Sequence, residues 1–167
     1  NTREHATLLG VRRYPFAVEN DWYRGTAEIA SFEPEELFGT KLRALLQRRR
    51  NRDLFDLHQG IEQLPLAPEK VIACFDHYLA LECKPITRAM AEQRMLEKLT
   101  RSLTEDVAPM LPAGVRWTNE DAIQAFERVW TELIARIGGD GWKLSDAVIE
   151  ELRAKRYPAL LMLRDRK

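Results

Sequence analysis

Several things are scarce in this chain, and each scarcity excludes a class of protein. Only two cysteines occur in 167 residues, Cys74 and Cys83. They fall nine positions apart, in or at the end of one predicted helix. At about 1.5 Å of rise per residue their backbones stand roughly 13 Å apart, beyond the reach of a disulfide. No Cys-x-x-Cys pair is present, so a structural zinc site is not expected. The longest apolar runs, Val71–Phe75 and Ala159–Leu163, fall far short of the roughly 18 residues a membrane span needs. No charged-then-apolar leader pattern is present. No charge of one sign dominates, because Lys plus Arg is 26 and Asp plus Glu is 26. That excludes a globally basic nucleic-acid binder and leaves room for a local basic patch.

What is there fits a globular chain of one domain or slightly more, with 45% hydrophobic and 31% charged residues. A cytoplasmic location and no membrane partner are expected. The chain opens on Asn-Thr-Arg-Glu-His rather than on Met, which reads as the interior of a longer protein.

Residues 6–30 have strand character. Three short runs are predicted, at Ala6–Val11, Tyr14–Val18 and Thr26–Ala30, with Pro15 marking an edge strand. They are too few to make a stable sheet alone, so further strands are expected upstream. From Ser31 the period becomes helical. Ser31 is predicted to cap a helix that has Pro34 in its first turn and runs to about Arg49. Asn51 caps a second helix, Arg52 to about Gln63, and a third runs from Pro68 to about Cys83. Thr87–Leu99 is a fourth. Ser102-Leu103-Thr104-Glu105 has the capping-box spacing and predicts a short helix before Pro109–Pro112. Thr118 caps Asn119–Ile137, and Ser145 caps a last helix that Pro158 kinks or ends. The predicted class is α+β, predominantly α: short N-terminal antiparallel strands followed by a helical bundle.

The segment with chemistry in it is Glu36–Leu57, ELFGTKLRALLQRRRNRDLFDL. At about 100° per residue, Leu37, Phe38, Leu42, Ala44, Leu45 and Leu46 share an apolar face. Thr40, Arg43, Gln47 and Arg50 share what reads as a solvated face. Lys41 and Arg48 fall inside the apolar arc, nearly superposed two turns apart. A cation there must be paired or serve a ligand, because burying it alone costs several kcal/mol. Asp53 borders the apolar face of the next helix, and Asp56 follows one turn on. Helices joined by a short turn pack antiparallel, so Lys41, Arg48 and Asp53 are expected to converge. Cations beside a carboxylate suit phosphate binding. Such pairs also lock helices together with no further role, and both readings stay open at this point.

The same segment resembles the third motif of the AbiEii/AbiGii nucleotidyltransferase toxins. That motif is Lys, two residues, Ala, three residues, Arg, four residues, Asp, and Lys41, Ala44, Arg48 and Asp53 match every position. Glu-Leu shortly before Gly-Thr-Lys is the family's usual approach to the lysine, and the opening Asn-Thr-Arg-Glu-His also resembles family members. The resemblance covers about residues 1–64. It implies that 1–64 is the C-terminal part of a nucleotidyltransferase domain, its strands the remnant of that domain's sheet, with 65–167 a variable helical domain. It implies transfer of a nucleotide from an NTP, with Mg²⁺, to a tRNA or protein acceptor, in a toxin–antitoxin or phage-defence system with a cognate antitoxin. By the resemblance, Lys41 and Asp53 are catalytic, Lys41 on the triphosphate and Asp53 as its acidic partner. Arg48 and Arg52 are substrate-binding, and Asp56 is a support.

The departure from the family is equally plain. No Gly-Ser turn followed by Asp-x-Asp occurs in this stretch. Two-metal transfer needs such carboxylates, so the metal site is expected upstream of Asn1. This stretch alone is expected to be inactive, with no tightly bound cofactor. Gly138-Gly139-Asp140-Gly141 follows a helix and reads as its termination. His58, Asp76 and His77 lack a third ligand at metal spacing. Trp117, Trp130 and Trp142 read as core anchors of the C-terminal bundle. Tyr157–Leu163 reads as a docking seam or a homo-oligomer contact. A non-enzymatic alternative is a helical module that uses the Arg48–Arg52 patch for RNA or a partner protein, with Lys41–Asp53 a structural ion pair.

Overall fold

The computed structural model describes residues 6–48, 50–99 and 103–154. The order is β1 (Val11–Glu19), β2 (Arg24–Phe32), α1 (Pro34–Gln47), α2 (Arg52–Gln63), α3 (Pro68–Leu81), α4 (Arg88–Lys98), α5 (Asn119–Glu132) and α6 (Ser145–Arg153). Two three-residue 3₁₀ turns, Ala108–Met110 and Ile134–Arg136, lie before and after α5. The class is α+β and mostly α, as the sequence predicts.

Two strands form where three were expected. β1 and β2 pair antiparallel from Val11↔Phe32 to Glu19↔Arg24. Asn20 closes the turn, its side-chain oxygen accepting the amides of Trp22 at 3.0 Å and Tyr23 at 2.8 Å. Residues 6–10 do not join. Gly10 has φ +95°, which breaks the extended run, and the amides of Leu8 and Leu9 go to the Glu36 carboxylate at 2.7 and 2.8 Å rather than to a ladder. Pro15 is tolerated inside β1 because only β2 flanks that strand. Tyr14, Phe16 and Val18 share one face of the hairpin with Ile29 and Ala27, the residues paired with or near them. The hairpin contributes nothing to the buried core cluster, and Trp22 at its tip is 95% exposed.

The helices hold the core, which runs without a break from Phe38 in α1 to Leu152 in α6. Fully buried leucines such as Leu42, Leu45 and Leu57 anchor it, at about 1.5–3 kcal/mol each. Two glycines set the closest approaches around α1. A Cβ on Gly39 would stand 2.7 Å from Cys74 Cβ, and one on Gly60 would stand 2.1 Å from the Phe38 ring. α3 therefore meets α1 at Gly39, and Gly60 of α2 accommodates the Phe38 ring.

That packing corrects the expected solvated face. Thr40 is buried. Arg43 and Gln47 both donate to Glu82 beyond the end of α3, each at 3.0 Å, and the Arg43 guanidinium lies over the Tyr78 ring at 5.3 Å. α3 covers the Thr40 and Arg43 part of that face, while Gln47 and Arg50 are exposed as expected.

Several boundaries also shift. Ser31 belongs to β2, and Glu33 precedes α1 without a side-chain cap. α1 stops at Gln47, because Arg48 is extended at φ −109°, ψ 153°. The expected capping-box helix does not form over the described residues 103–107, where Leu103 and Val107 are buried within turns; Ser102 lies outside the described residues. Thr118 does make a capping box, with Asp121, but α5 ends at Glu132 and a 3₁₀ turn follows. Ser145 is the first residue of α6 rather than its cap, and its hydroxyl donates to Glu92 at 2.6 Å. Gly139, at φ +101°, follows the Ile134–Arg136 turn as a terminator. Trp130 is buried, with Trp117 and Trp142 packed against the core. Both cysteines are free. Pro158 and Tyr157–Leu163 lie outside the described residues.

Candidate functional site

The site is built where α1 meets α2. Lys41 sits mid-helix in α1 with its side chain 34% exposed. Its ammonium donates to Asp56 Oδ2 and stands 3.8 Å from Asp53 Oδ1. Asp56, the residue expected to support, takes the direct hydrogen bond, and Asp53, expected as the principal partner, makes the longer ion pair. The reason is helical geometry: Asp53 lies in the first turn of α2 against the core, and Asp56 lies one turn further, nearer the edge where a lysine can reach.

Asp53 is 2% exposed. Its Oδ2 atom is buried with no hydrogen-bond partner among the described residues. Burial pushes its carboxyl above the ordinary aspartate range, and Asp56 adds to that; Lys41, Arg48 and Arg52 oppose it without prevailing. Most buried carboxyl oxygens have a hydrogen-bond partner, so an unmatched one is an uncommon feature.

Arg48 does not stack two turns above Lys41 as the wheel suggests. α1 has ended, and Arg48 is exposed in the turn to α2. Arg52 opens α2, half-buried. Both act on Asp53 through their charge, and neither forms a salt bridge with it. The structure thus brings Lys41, Asp53 and Asp56 together in contact and leaves Arg48 and Arg52 as neighbouring cations.

Three groups to which the sequence reading gave no role at the site brace the chain on either side of it. The Lys98 ammonium, at the end of α4, donates to the carbonyls of Arg48 at 2.9 Å and Arg50 at 3.2 Å. Asp106 Oδ2 accepts the Asn51 amide at 3.1 Å. Glu36, wholly buried, holds the incoming chain through Leu8 and Leu9 and accepts the Tyr78 hydroxyl at 2.6 Å. These contacts span 27 to 55 residues, so no local pattern announces them. The one available signal was a glutamate beside Pro34 in a first turn, which also has an ordinary reading as helix-dipole compensation.

The remaining candidates resolve into structure. His58 is buried, with Nε2 at 3.5 Å from Glu62, and burial pushes its pKa down. Its ring lies 5.9 Å from that of Trp117, which also meets Phe55 edge-on at 4.9 Å. Burial pushes the Cys74 thiol up to about 11, which leaves it an inert core residue. Among the described residues no group of three His, Cys, Asp or Glu could hold a metal ion, and no helix is long and apolar enough to cross a membrane.

Lys41 is thus held between two carboxylates, beside a turn whose Arg48, Arg50 and Arg52 form no ion pair among the described residues. The family model described as nucleotidyl transferase AbiEii toxin, type IV TA system, matches residues 1–132 of the 167. The chain belongs to that family of nucleotidyl transferase toxins, whose type IV toxin–antitoxin character implies a cognate antitoxin. No curated protein and no solved structure matches it. Lys41, Asp53, Asp56, Lys98 and Asp106 all fall inside the matched stretch; α6 falls outside it.

Proposed function

We propose that this chain serves nucleotidyl transfer from an NTP to an acceptor, with Lys41 as the residue that meets the triphosphate. The observation that carries this is the Lys41 ammonium held between Asp53 and Asp56 at a partly open helix seam. An ammonium has three donors. One is taken by Asp56, Asp53 is an ion-pair neighbour beyond hydrogen-bond range, and the rest remain for phosphate oxygens. Asp53 and Asp56 fix where the charge stands, which is the preorganisation that phosphoryl-group chemistry rewards. Arg48 and Arg52 bind further phosphate oxygens. The acceptor we favour is a tRNA, because the same turn offers cations to a nucleic-acid backbone; a protein acceptor is the alternative.

Mg²⁺, which the family implies, does not fit at Asp53 and Asp56. The two carboxylates already share the Lys41 ammonium, and a dication would have to displace it. No step is assigned to Mg²⁺ through these residues. Because this stretch contains no alternating aspartate pair, the assay belongs to the natural full-length protein. Labelled NTPs and total tRNA are supplied to wild type, Lys41→Ala and Asp53→Ala. Both variants are expected to stay folded by circular dichroism, and Lys41→Ala to lose transfer about 100-fold or more. Wild-type transfer by both variants would return Lys41–Asp53–Asp56 to the role of an ion cluster locking two helices.

A further inference from the structure

Arginines elsewhere among the described residues are mostly neutralised. Arg43 has Glu82 at 3.0 Å, Arg136 has Glu69 at 2.8 Å, and Arg24 has Glu19 at 2.7 Å. The turn between α1 and α2 is different. Arg48, Arg50 and Arg52 form no side-chain ion pair or hydrogen bond among the described residues, and Arg48 and Arg50 are exposed. In a chain of zero net charge, guanidiniums gathered at one turn, with Arg48 and Arg52 partly offset by the charge of Asp53, make a local positive field, and their mutual repulsion works against holding them there.

Something must hold the turn, and the structure shows what does. α1 has no basic residue in its own last turn, so its closing carbonyls need donors from elsewhere. α4 supplies them one helical turn apart. Arg94 donates to the Leu46 carbonyl at 3.3 Å, and Lys98 to those of Arg48 and Arg50. Lys98 is only 5% exposed, so its ammonium faces the protein interior rather than solvent. Asp106 fixes the next amide, that of Asn51. The carbonyls of the turn are drawn inward to α4, while the side chains of Arg48 and Arg50 stand in solvent.

We propose that Lys98 is a positioning residue for phosphate recognition, and that Arg50 is one of the side chains it positions, alongside Arg48 and Arg52. The proposal rests on the phosphate-handling role given above to Arg48 and Arg52. It adds a residue outside the motif, Arg50, and a buried cation that touches no ligand. The ligand chemistry is phosphate, carried either by a nucleic-acid backbone or by a triphosphate.

Binding tests it without turnover. The full-length protein is titrated with a labelled single-stranded RNA oligonucleotide, and separately with ATP, at several salt concentrations. Loss of one phosphate contact lowers the slope of log K against log salt by about 0.7 for a single strand. Arg50→Gln is expected to show that drop with unchanged thermal unfolding. Lys98→Met is expected to lower the slope further than Arg50→Gln does, because it frees Arg48 as well, and Lys98→Arg is expected to recover most of the loss. If Lys98→Met does not fold, Lys98→Gln retains an uncharged amide with two donors and is expected to fall between wild type and Arg50→Gln. An effect on RNA alone assigns the phosphates to a nucleic-acid backbone, and an effect on ATP alone assigns them to the triphosphate. Wild-type affinity and slope in Arg50→Gln for both ligands overturns the role of Arg50. A Lys98 variant that melts earlier but binds with the wild-type slope overturns positioning and leaves Lys98 a structural brace. Absence of transfer with these slopes intact would sink the enzymatic reading and leave this one standing.

Discussion

Two seams of this molecule bury a carboxylate beside a basic residue, and they do it differently. Where α4 meets the loop before α6, Glu92 is 1% exposed. Arg88 Nε donates to its Oε1 at 2.9 Å, and the Trp142 amide and Ser145 hydroxyl donate to Oε2 at 2.5 and 2.6 Å. Where α1 meets α2, Asp53 is equally buried, its lysine stands 3.8 Å away, and Oδ2 has no partner among the described residues. A fully satisfied buried carboxylate stabilises the fold, whereas one left partly unmatched is destabilising on its own account. Such an imbalance is expected at a working site and is out of place in a mere clamp. Glu92 is a fully matched clasp and Asp53 a partly matched one, which is the contrast that the proposed role of Asp53 draws on.

That contrast breaks most visibly at Glu92. Glu92→Ala strands two buried donors, Trp142 N and Ser145 Oγ, and is expected to cost about 3 kcal/mol or more at roughly 1–3 kcal/mol per unmatched group. Urea unfolding measures it, and a loss under about 1 kcal/mol would mean that Glu92 is not the clasp. Ser145→Ala removes one donor while the Trp142 amide stays, so a loss of about 1 kcal/mol is expected by the same method.

Asp53→Asn is expected to change stability by less than about 1 kcal/mol near neutral pH, since it removes a buried charge along with a loose ion pair. Its sharper signature is with pH. Burial raises the folded Asp53 carboxyl above its ordinary 3.8. Between those two values the folded state holds a proton that the unfolded chain has released, so this group's contribution falls as pH rises from about 4. Wild type should therefore lose stability relative to Asp53→Asn from pH 4 upward, read by urea unfolding across pH 4–7. Wild type gaining stability relative to Asp53→Asn as pH rises would mean that Lys41 wins over burial and that the two seams are electrostatically alike.

The hairpin and the helical body show how much was legible beforehand. Helix starts at Arg52, Pro68 and Asn119, and a first helix near Pro34, were readable because prolines and first-turn acids act on neighbouring residues. The short spacing from Lys41 to Asp53 and Asp56 was readable for the same reason: one tight turn brings consecutive helices back together. Arg48 was misplaced because the helix stops one residue before it. Lys98 draws the carbonyls of Arg48 and Arg50 away from the helical path, and that contact spans 48 to 50 residues. The strand at 6–10 was misread because Glu36, 27 to 28 residues on, takes its amides.

The sequence by itself determined the periods, most helix positions and the motif: an α+β chain whose Lys41, Asp53 and Asp56 lie near one turn. Those follow from forces that act within a helical turn or two. Tertiary structure alone decided which of the two carboxylates holds the lysine, which acids are satisfied, and which arginines stand unpaired. Each depends on a hydrogen bond or a burial between residues tens of positions apart, and desolvation, which sets the state of Asp53, exists only once α1, α2 and the core have closed around it.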